Sequence, residues 1–344
     1  MIAQNNATKR TWETPRTHYL KAIESPWYKA LFSVQNTISR ATHTFYEARG
    51  IQTMHLPITT GTISSPMGLG SDSSPVEVEI SGQKTFLADS MQFLLEYGCR
   101  LNAKGVYYLM PSFRGEMADN RHLCQFFHSE VEIPGTLDDI MCLAENYVIY
   151  LSKEILTKNH DALALISVED SHLHAMTERP HPFPRITFQN ALELLEKQSP
   201  SSCYVFEDSK NGFKSITPKG ERFLMDYFGG IVWLKNVEHK SGPFYQAYAA
   251  DTHYAQNADL LFGIGEVIGS GQRHFNKTDV ITALHQHNVH PSDYEWYCTL
   301  KERYPLQTSG FGMGIERFLL WVFRHNDIRD MQLLPRFNGQ KIYV

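Results

Sequence analysis

Cysteine is scarce in this chain and poorly placed for chemistry. Its five residues, Cys99, Cys124, Cys142, Cys203 and Cys298, are scattered, odd in number and never in a CxxC spacing. That argues against a disulfide framework and a zinc–thiolate site, and for a reducing, cytoplasmic setting. Long hydrophobic runs are missing too: nowhere do 18 apolar residues follow one another, and the opening MIAQNNATKRTWETPRTHYL has no apolar stretch of a secretory signal, so no membrane span or export is expected. There is no basic excess, because 32 Lys and Arg against 37 Asp and Glu leave a net charge of −5, with no overall pull on a phosphate backbone. Standard nucleotide fingerprints are absent as well. GFGMG at 310–314 lacks the lysine and hydroxyl of a P-loop, and GIGEVIG at 263–269 has one residue too many for a dinucleotide turn. What is present is 344 residues, 42% hydrophobic and 12% aromatic, enough for a sizeable core in one or two domains of an enzyme.

The first 26 residues read as a polar lead-in. From Lys29 to Ala48, Leu31, Val34, Ile38, Ala41 and Phe45 recur at spacings of three and four and Gly50 follows, predicting an amphipathic helix with a glycine stop. IQTMHLPI, 51–58, is strand-like, and its Pro57 favours a sheet edge. The Gly-, Ser- and Pro-rich stretch at 59–78 is long enough for either a lid or a surface excursion.

VYYLMPSFRGE (106–116) and HLCQFFHSEVEI (122–133) read as a hairpin joined by a polar turn. Period two puts Phe126, His128, Glu130 and Glu132 on one face, and Arg114 with Glu116 on one face of the first strand. Taken alone, this is equally a solvated sheet face with cross-strand ion pairs. Near the C-terminus, GFGMGIERFLLWVF is a glycine-rich strand entering a helix. Ile315, Phe318, Leu319, Val322 and Phe323 form its buried stripe, which leaves Arg317 in the first turn on another side. Bare backbone such as Gly314 admits a ligand closely, and a phosphate suits the neighbouring arginine. His285, His287 and His290 in HQHNVH have no acidic or thiol partner arranged with them, so they read as a solvated helix end rather than a metal site.

In order along the chain, helix 29–48 with Pro57, then FRGE, RHL and QFFHSEVE, then GFGMGIERFLLW with IRDMQLLPR resemble the three motifs of the class II aminoacyl-tRNA synthetase catalytic core, aspartyl/asparaginyl branch, closest to asparaginyl-tRNA synthetases. FPRITFQNALELL, GPFY and GEVIGSGQR sit between them in the family's order. The resemblance runs from about residue 27 to the end. It implies an α/β (α+β) fold with a six-stranded antiparallel sheet flanked by helices, a homodimer, and an inter-motif region at 160–235 where insertions are common.

It also implies a chemistry. A substrate carboxylate attacks the α-phosphorus of ATP, giving an aminoacyl-adenylate and pyrophosphate, a step that needs positioning and charge neutralisation more than a covalent nucleophile. Carried over by position, Arg114 would bridge the carboxylate and the α-phosphate, and Arg121 and His122 would hold the triphosphate tail. Arg317 would reach the γ-phosphate and sandwich the adenine against Phe126, with Glu116 reading the adenine and Gly314 giving ATP access. Mg2+ would be bound through Glu266. Ser90 and Gln92 would hold the α-amino end, and Arg273, with Glu130 nearby, would face the side-chain carboxylate or amide. Aspartyl enzymes carry a lysine where this chain has Leu95, and asparaginyl enzymes carry leucine then glutamate, as in Leu95–Glu96, so Glu96 would join the amino-acid-binding residues.

Two departures stand out: Gly269-Ser270-Gly271 replaces the usual Gly-Gly-Ser, and Cys124-Gln125 replaces Pro-Glu. The core also begins within 26 residues of Met1, which leaves no room for the family's OB-fold anticodon domain. The expectation is therefore an AMP-forming ligase of asparagine biosynthesis type, passing activated aspartate or an asparagine-like amino acid to ammonia or a small amine, with tRNA an unlikely partner. A tRNA ligase and a non-catalytic paralogue are the alternatives.

Overall fold

A computed structural model describes residues 9–64, 69, 74–198 and 203–341. Most of the tip of the 59–78 stretch, read as lid or excursion, lies outside the described residues. The sheet has eight strands, not six. Its order is β1 (Gln52–Thr53), β5 (Val106–Phe113), β6 (Gln125–Pro134), β13 (Thr308–Gly314), β12 (Gly265–Gln272), β11 (Asn257–Phe262), β10 (Ile231–Lys235) and β7 (Arg185–Thr187). The six central strands pair antiparallel, as expected, and a short parallel strand closes each edge. IQTMHLPI supplies only the two-residue β1, and Pro57 lies beyond it.

Alternation along the strands divides the sheet into two unlike faces. Tyr107, Val131, Phe311, Met313, Ile268, Leu260 and Trp233 pack under a helical layer. That layer contains α2 (Pro26–Glu47), which starts on a proline, and α4 (Leu137–Leu165), whose first turn is closed by a Thr136–Asp139 capping box. The opposite face carries the charged residues. It is walled at one end by α3 (Gln92–Gly98) packed on Val106 and Tyr108. At the other end, α6 (Phe188–Glu196) and α7 (Pro218–Tyr227) pack on Val232, Leu234 and Leu261. The 160–235 region thus contributes two strands to the main sheet and, with the hairpin β8 (Val205–Asp208) and β9 (Phe213–Ile216), one wall of the site.

Residues 9–25 are no loose lead-in. A 3-10 turn at Thr11–Glu13 and α1 (His18–Glu24) lie against the chain's last turns, where Asp330 accepts bonds from the Arg10 amide at 2.7 Å and from Trp12 Nε1 at 2.9 Å. Nor is the HQHNVH histidine run wholly solvated. His287, just past α8 (Lys277–Gln286), is buried and its Nε2 lies 3.2 Å from His239 Nδ1. All five cysteines are free, and among the described residues no helix is long and apolar enough to cross a membrane.

Candidate active site

The register of three strands builds the floor. Glu132, Glu130 and His128 on β6 lie opposite Gly310, Gly312 and Gly314 on β13, so three functional side chains stand beside three bare backbone positions. A Cβ on Gly310 would overlap the Glu132 carboxylate, and one on Gly312 would lie 3.3 Å from Glu130 Oε1. The solvated-face reading of the hairpin therefore fails: Glu130 is 5% and Glu132 0% exposed. Buried charges need partners, and each has them. Arg273 holds Glu132 two-pronged, through Nε at 3.1 Å and Nη2 at 2.9 Å. Burial would lower the Arg273 pKa, but the Glu132 charge outweighs it and keeps the guanidinium protonated. Ser90 donates to Glu130 Oε2 at 2.6 Å, and His128 Nδ1 lies 2.9 Å from Glu130 Oε1. Burial would raise Glu130, yet the neighbouring His128 imidazole and the bonds to its carboxylate hold it below the ordinary range.

Two cavities meet over this floor, of about 350 and about 510 Å³. The first is lined by Ser90, Gln92, Leu95, Glu130 and Arg273. The second is lined by Glu116, Arg121, His122, Phe126, Gly314 and Arg317. Arg114, His128, Glu266 and Gly312 line both and mark their junction. Arg114 lies 5.5 Å from the centre of the Phe126 ring. Arg317, in the first turn of α10 (Ile315–Val322), donates to the Glu266 carbonyl at 2.8 Å. Several polar atoms in these walls are buried with no hydrogen-bond partner among the described residues: Arg114 Nε, Arg121 Nε, Glu116 Oε2 and Gln92 Oε1.

The sequence-derived set thus converges, with one exception and one change of setting. Glu96 is no cavity residue. Its side chain turns into the interior, where it pairs with Lys301, accepts from Gln92 Nε2 one helical turn before it and, at 2.8 Å, from Tyr297, while Leu95 lines the cavity. Arg114 and Glu116 lie past the end of β5 rather than on a strand face; Glu116 accepts the Ser74 amide at 2.9 Å. The two sequence departures are absorbed locally: Ser270 donates to the Ala258 carbonyl, and Cys124 Sγ to the Arg336 carbonyl at 2.8 Å.

Sequence reading assigned no role to Asp259, Glu221 or His128. Asp259 pairs across the sheet with Gly269, whose missing Cβ would lie 2.8 Å from Glu266 Oε1 and 3.8 Å from Asp259 Oδ1. Burial and the neighbouring carboxylates push Asp259 up, and burial and Glu266 push Glu221 to about 7. Carboxylates crowded to mutual repulsion are a donor set that fits a hard divalent cation. Among the described residues no group of three or more such side chains converges to hold a metal.

Residues 13–338 match the family model of class II tRNA synthetases (D, K and N). The chain belongs to the class II tRNA synthetases. Similar curated synthetases include the asparagine–tRNA ligase of Koribacter versatilis, 28% identical over 330 residues that cover 92% of this chain and 72% of that one. The asparagine–tRNA ligase of Thermoplasma acidophilum is 25% identical over 91% of this chain and 70% of that one. In fold, this synthetase chain is similar to the asparaginyl-tRNA synthetase of Pyrococcus horikoshii solved with asparaginyl-adenylate, at a TM-score of 0.85 and 24% identity, over 96% of this chain and 74% of that one. The Entamoeba histolytica enzyme follows at 0.79 and 20%, over 98% and 74%.

Proposed function

We propose that this protein activates asparagine with ATP, forming asparaginyl-adenylate and pyrophosphate. The observation that carries the reading is the pair of joined cavities, one with amino-acid-sized polar walls and one with three arginines and an aromatic ring, whose shared wall holds Arg114. There the substrate carboxylate oxygen attacks the α-phosphorus while the bond to the bridging oxygen of pyrophosphate breaks. Arg114 offsets charge on the α-phosphate, Arg121, His122 and Arg317 take the departing phosphates, and Phe126 with Arg317 stacks the adenine. Glu266 and Asp259 would hold Mg2+, which would neutralise phosphate charge. Glu130, Ser90 and the unpartnered Gln92 Oε1 suit an α-ammonium.

Asparagine is favoured over aspartate by charge. Arg273 is already matched by Glu132 and Leu95 supplies no cation, so a second substrate carboxylate would be buried without a full counter-charge. Similarity to asparagine–tRNA ligases supports the 3′ end of tRNA as acceptor. The expectation of ammonia as acceptor, and of tRNA as an unlikely partner, has no comparable support. The deciding assay is ATP–pyrophosphate exchange with asparagine and with aspartate, followed by AMP release with unfractionated tRNA or ammonium. Exchange with asparagine and tRNA-dependent AMP release are expected. Absence of exchange with either amino acid would overturn the reading, and ammonium-dependent AMP release with aspartate would replace it.

A further inference from the structure

His128 lines both cavities, and among the described residues its polar partners, Glu130 Oε1 at 2.9 Å and Ser112 Oγ at 3.0 Å, both sit at Nδ1. A carboxylate against Nδ1 selects the tautomer with its proton there, which leaves the Nε2 lone pair for whatever occupies the junction. The edge-on contact with the Phe126 ring, centroids 4.7 Å apart, fixes the imidazole plane, and Gly314 opposite adds no side chain above it. Among the described residues, three titratable side chains line both cavities, Arg114, His128 and Glu266. Arg114 cannot accept a proton, and the Glu266 carboxylate lies 3.7 Å from Arg317 and beside Asp259. Only the imidazole combines a ring-nitrogen lone pair open to the junction with a carboxylate to orient it.

We infer that His128 Nε2 is the proton acceptor of the transfer half-reaction, an inference that rests on the adenylate-forming reading above. The acceptor hydroxyl or amine attacks the carbonyl carbon of the aminoacyl-adenylate. The new C–O or C–N bond forms as the bond from that carbon to the AMP phosphate oxygen breaks, with its electron pair leaving on AMP. The acceptor's proton moves to Nε2, and Glu130 at Nδ1 balances the resulting imidazolium. Water takes the proton when AMP departs.

The test separates the two half-reactions. Wild type, His128→Gln and His128→Ala are assayed for ATP–pyrophosphate exchange with asparagine, then for single-turnover transfer from preformed adenylate to unfractionated tRNA and, separately, to ammonium. Transfer should fall about 10²–10⁴-fold while exchange, which also reports a folded site, falls less than about tenfold. Added imidazole should recover part of the transfer rate in His128→Ala. A parallel loss of exchange and transfer, or transfer at the wild-type rate, would overturn the assignment. A wild type with no exchange would overturn the underlying reading and this one with it.

Discussion

At the scale of single residues, the site is a set of charges whose positions differ in how much protein surrounds them, and their variants should differ accordingly. Arg317 is a first-turn residue with a quarter of its side chain exposed, outside the buried stripe of α10. Arg317→Ala should leave the far-ultraviolet circular dichroism and melting temperature near wild type while lowering pyrophosphate exchange about 10²–10³-fold, the scale for one lost charge partner of a transition state. Normal exchange would remove it from the phosphate grip. Its neighbour Glu316 behaves oppositely. It is buried, accepts the Phe127 amide at 3.0 Å, and burial pushes its carboxyl up to about 7. A carboxyl raised in the folded state stabilises the fold below its unfolded pKa and loses that contribution as pH rises through the folded one. Glu316→Gln should therefore gain stability relative to wild type between pH 5 and 8, by up to about 3 kcal/mol, read from denaturant melts of the ligand-free protein at both pH values. A constant difference would mean that Glu316 does not titrate there.

At the scale of elements, β6 and β13 are the strands the sequence made most legible, though it did not pair them with each other. Alternation in QFFHSEVEI put Phe126, His128, Glu130 and Glu132 on one face, and GFGMG marked the bare strand. Which glycine faces which carboxylate came only with the register. That register predicts unequal tolerance. Gly310→Ala would drive a methyl into Glu132 and to 2.8 Å from Arg273 Nη2, whereas the nearest atom to a Cβ on Gly314 is 3.7 Å away. Gly310→Ala should cost about 1–3 kcal/mol of stability and weaken asparagine binding more than ATP binding. Gly314→Ala should melt as wild type does, and equal destabilisation of the two would contradict the register. The same limit explains the misses. Asp259 enters the site through a pairing across β11 and β12, and Glu221 through a helix that only tertiary packing brings near. Glu96 leaves it because Lys301, two hundred residues away, claims its carboxylate. The edge strands β1 and β7 are two and three residues long, too short to show any period.

At the scale of the whole molecule, residues 10–27 and 325–338 meet beside the larger cavity, which Ile328 lines, an arrangement that composition gave no sign of because the opening residues are polar. Asp330 is the node. Its Oδ1 accepts the Arg10 amide and Trp12 Nε1, its Oδ2 lies 2.8 Å from His325 Nε2, and its carbonyl accepts Trp27 Nε1 at 3.2 Å. Directly after it, Gln332 donates to the Gln125 carbonyl at 2.6 Å and Asn338 accepts the Ala118 amide at 3.0 Å, so the same segment braces the loop that presents Arg121 and His122. Burial would raise the Asp330 pKa, but His325, Arg10 and Trp12 outweigh it and lower the carboxyl. A carboxyl lowered in the folded state contributes stability above its unfolded pKa and loses it as pH falls through the folded one. Asp330→Asn keeps the shape and removes the charge. It should cost about 1–3 kcal/mol at pH 7, with the gap to wild type closing as pH falls below the ordinary aspartate range. Because the brace reaches the nucleotide loop, the KM for ATP should also rise, by up to about tenfold, the equivalent of ~1.4 kcal/mol, while the KM for asparagine changes less. A stability loss with both KM values unmoved would show that the joined ends hold the fold together without positioning the nucleotide loop.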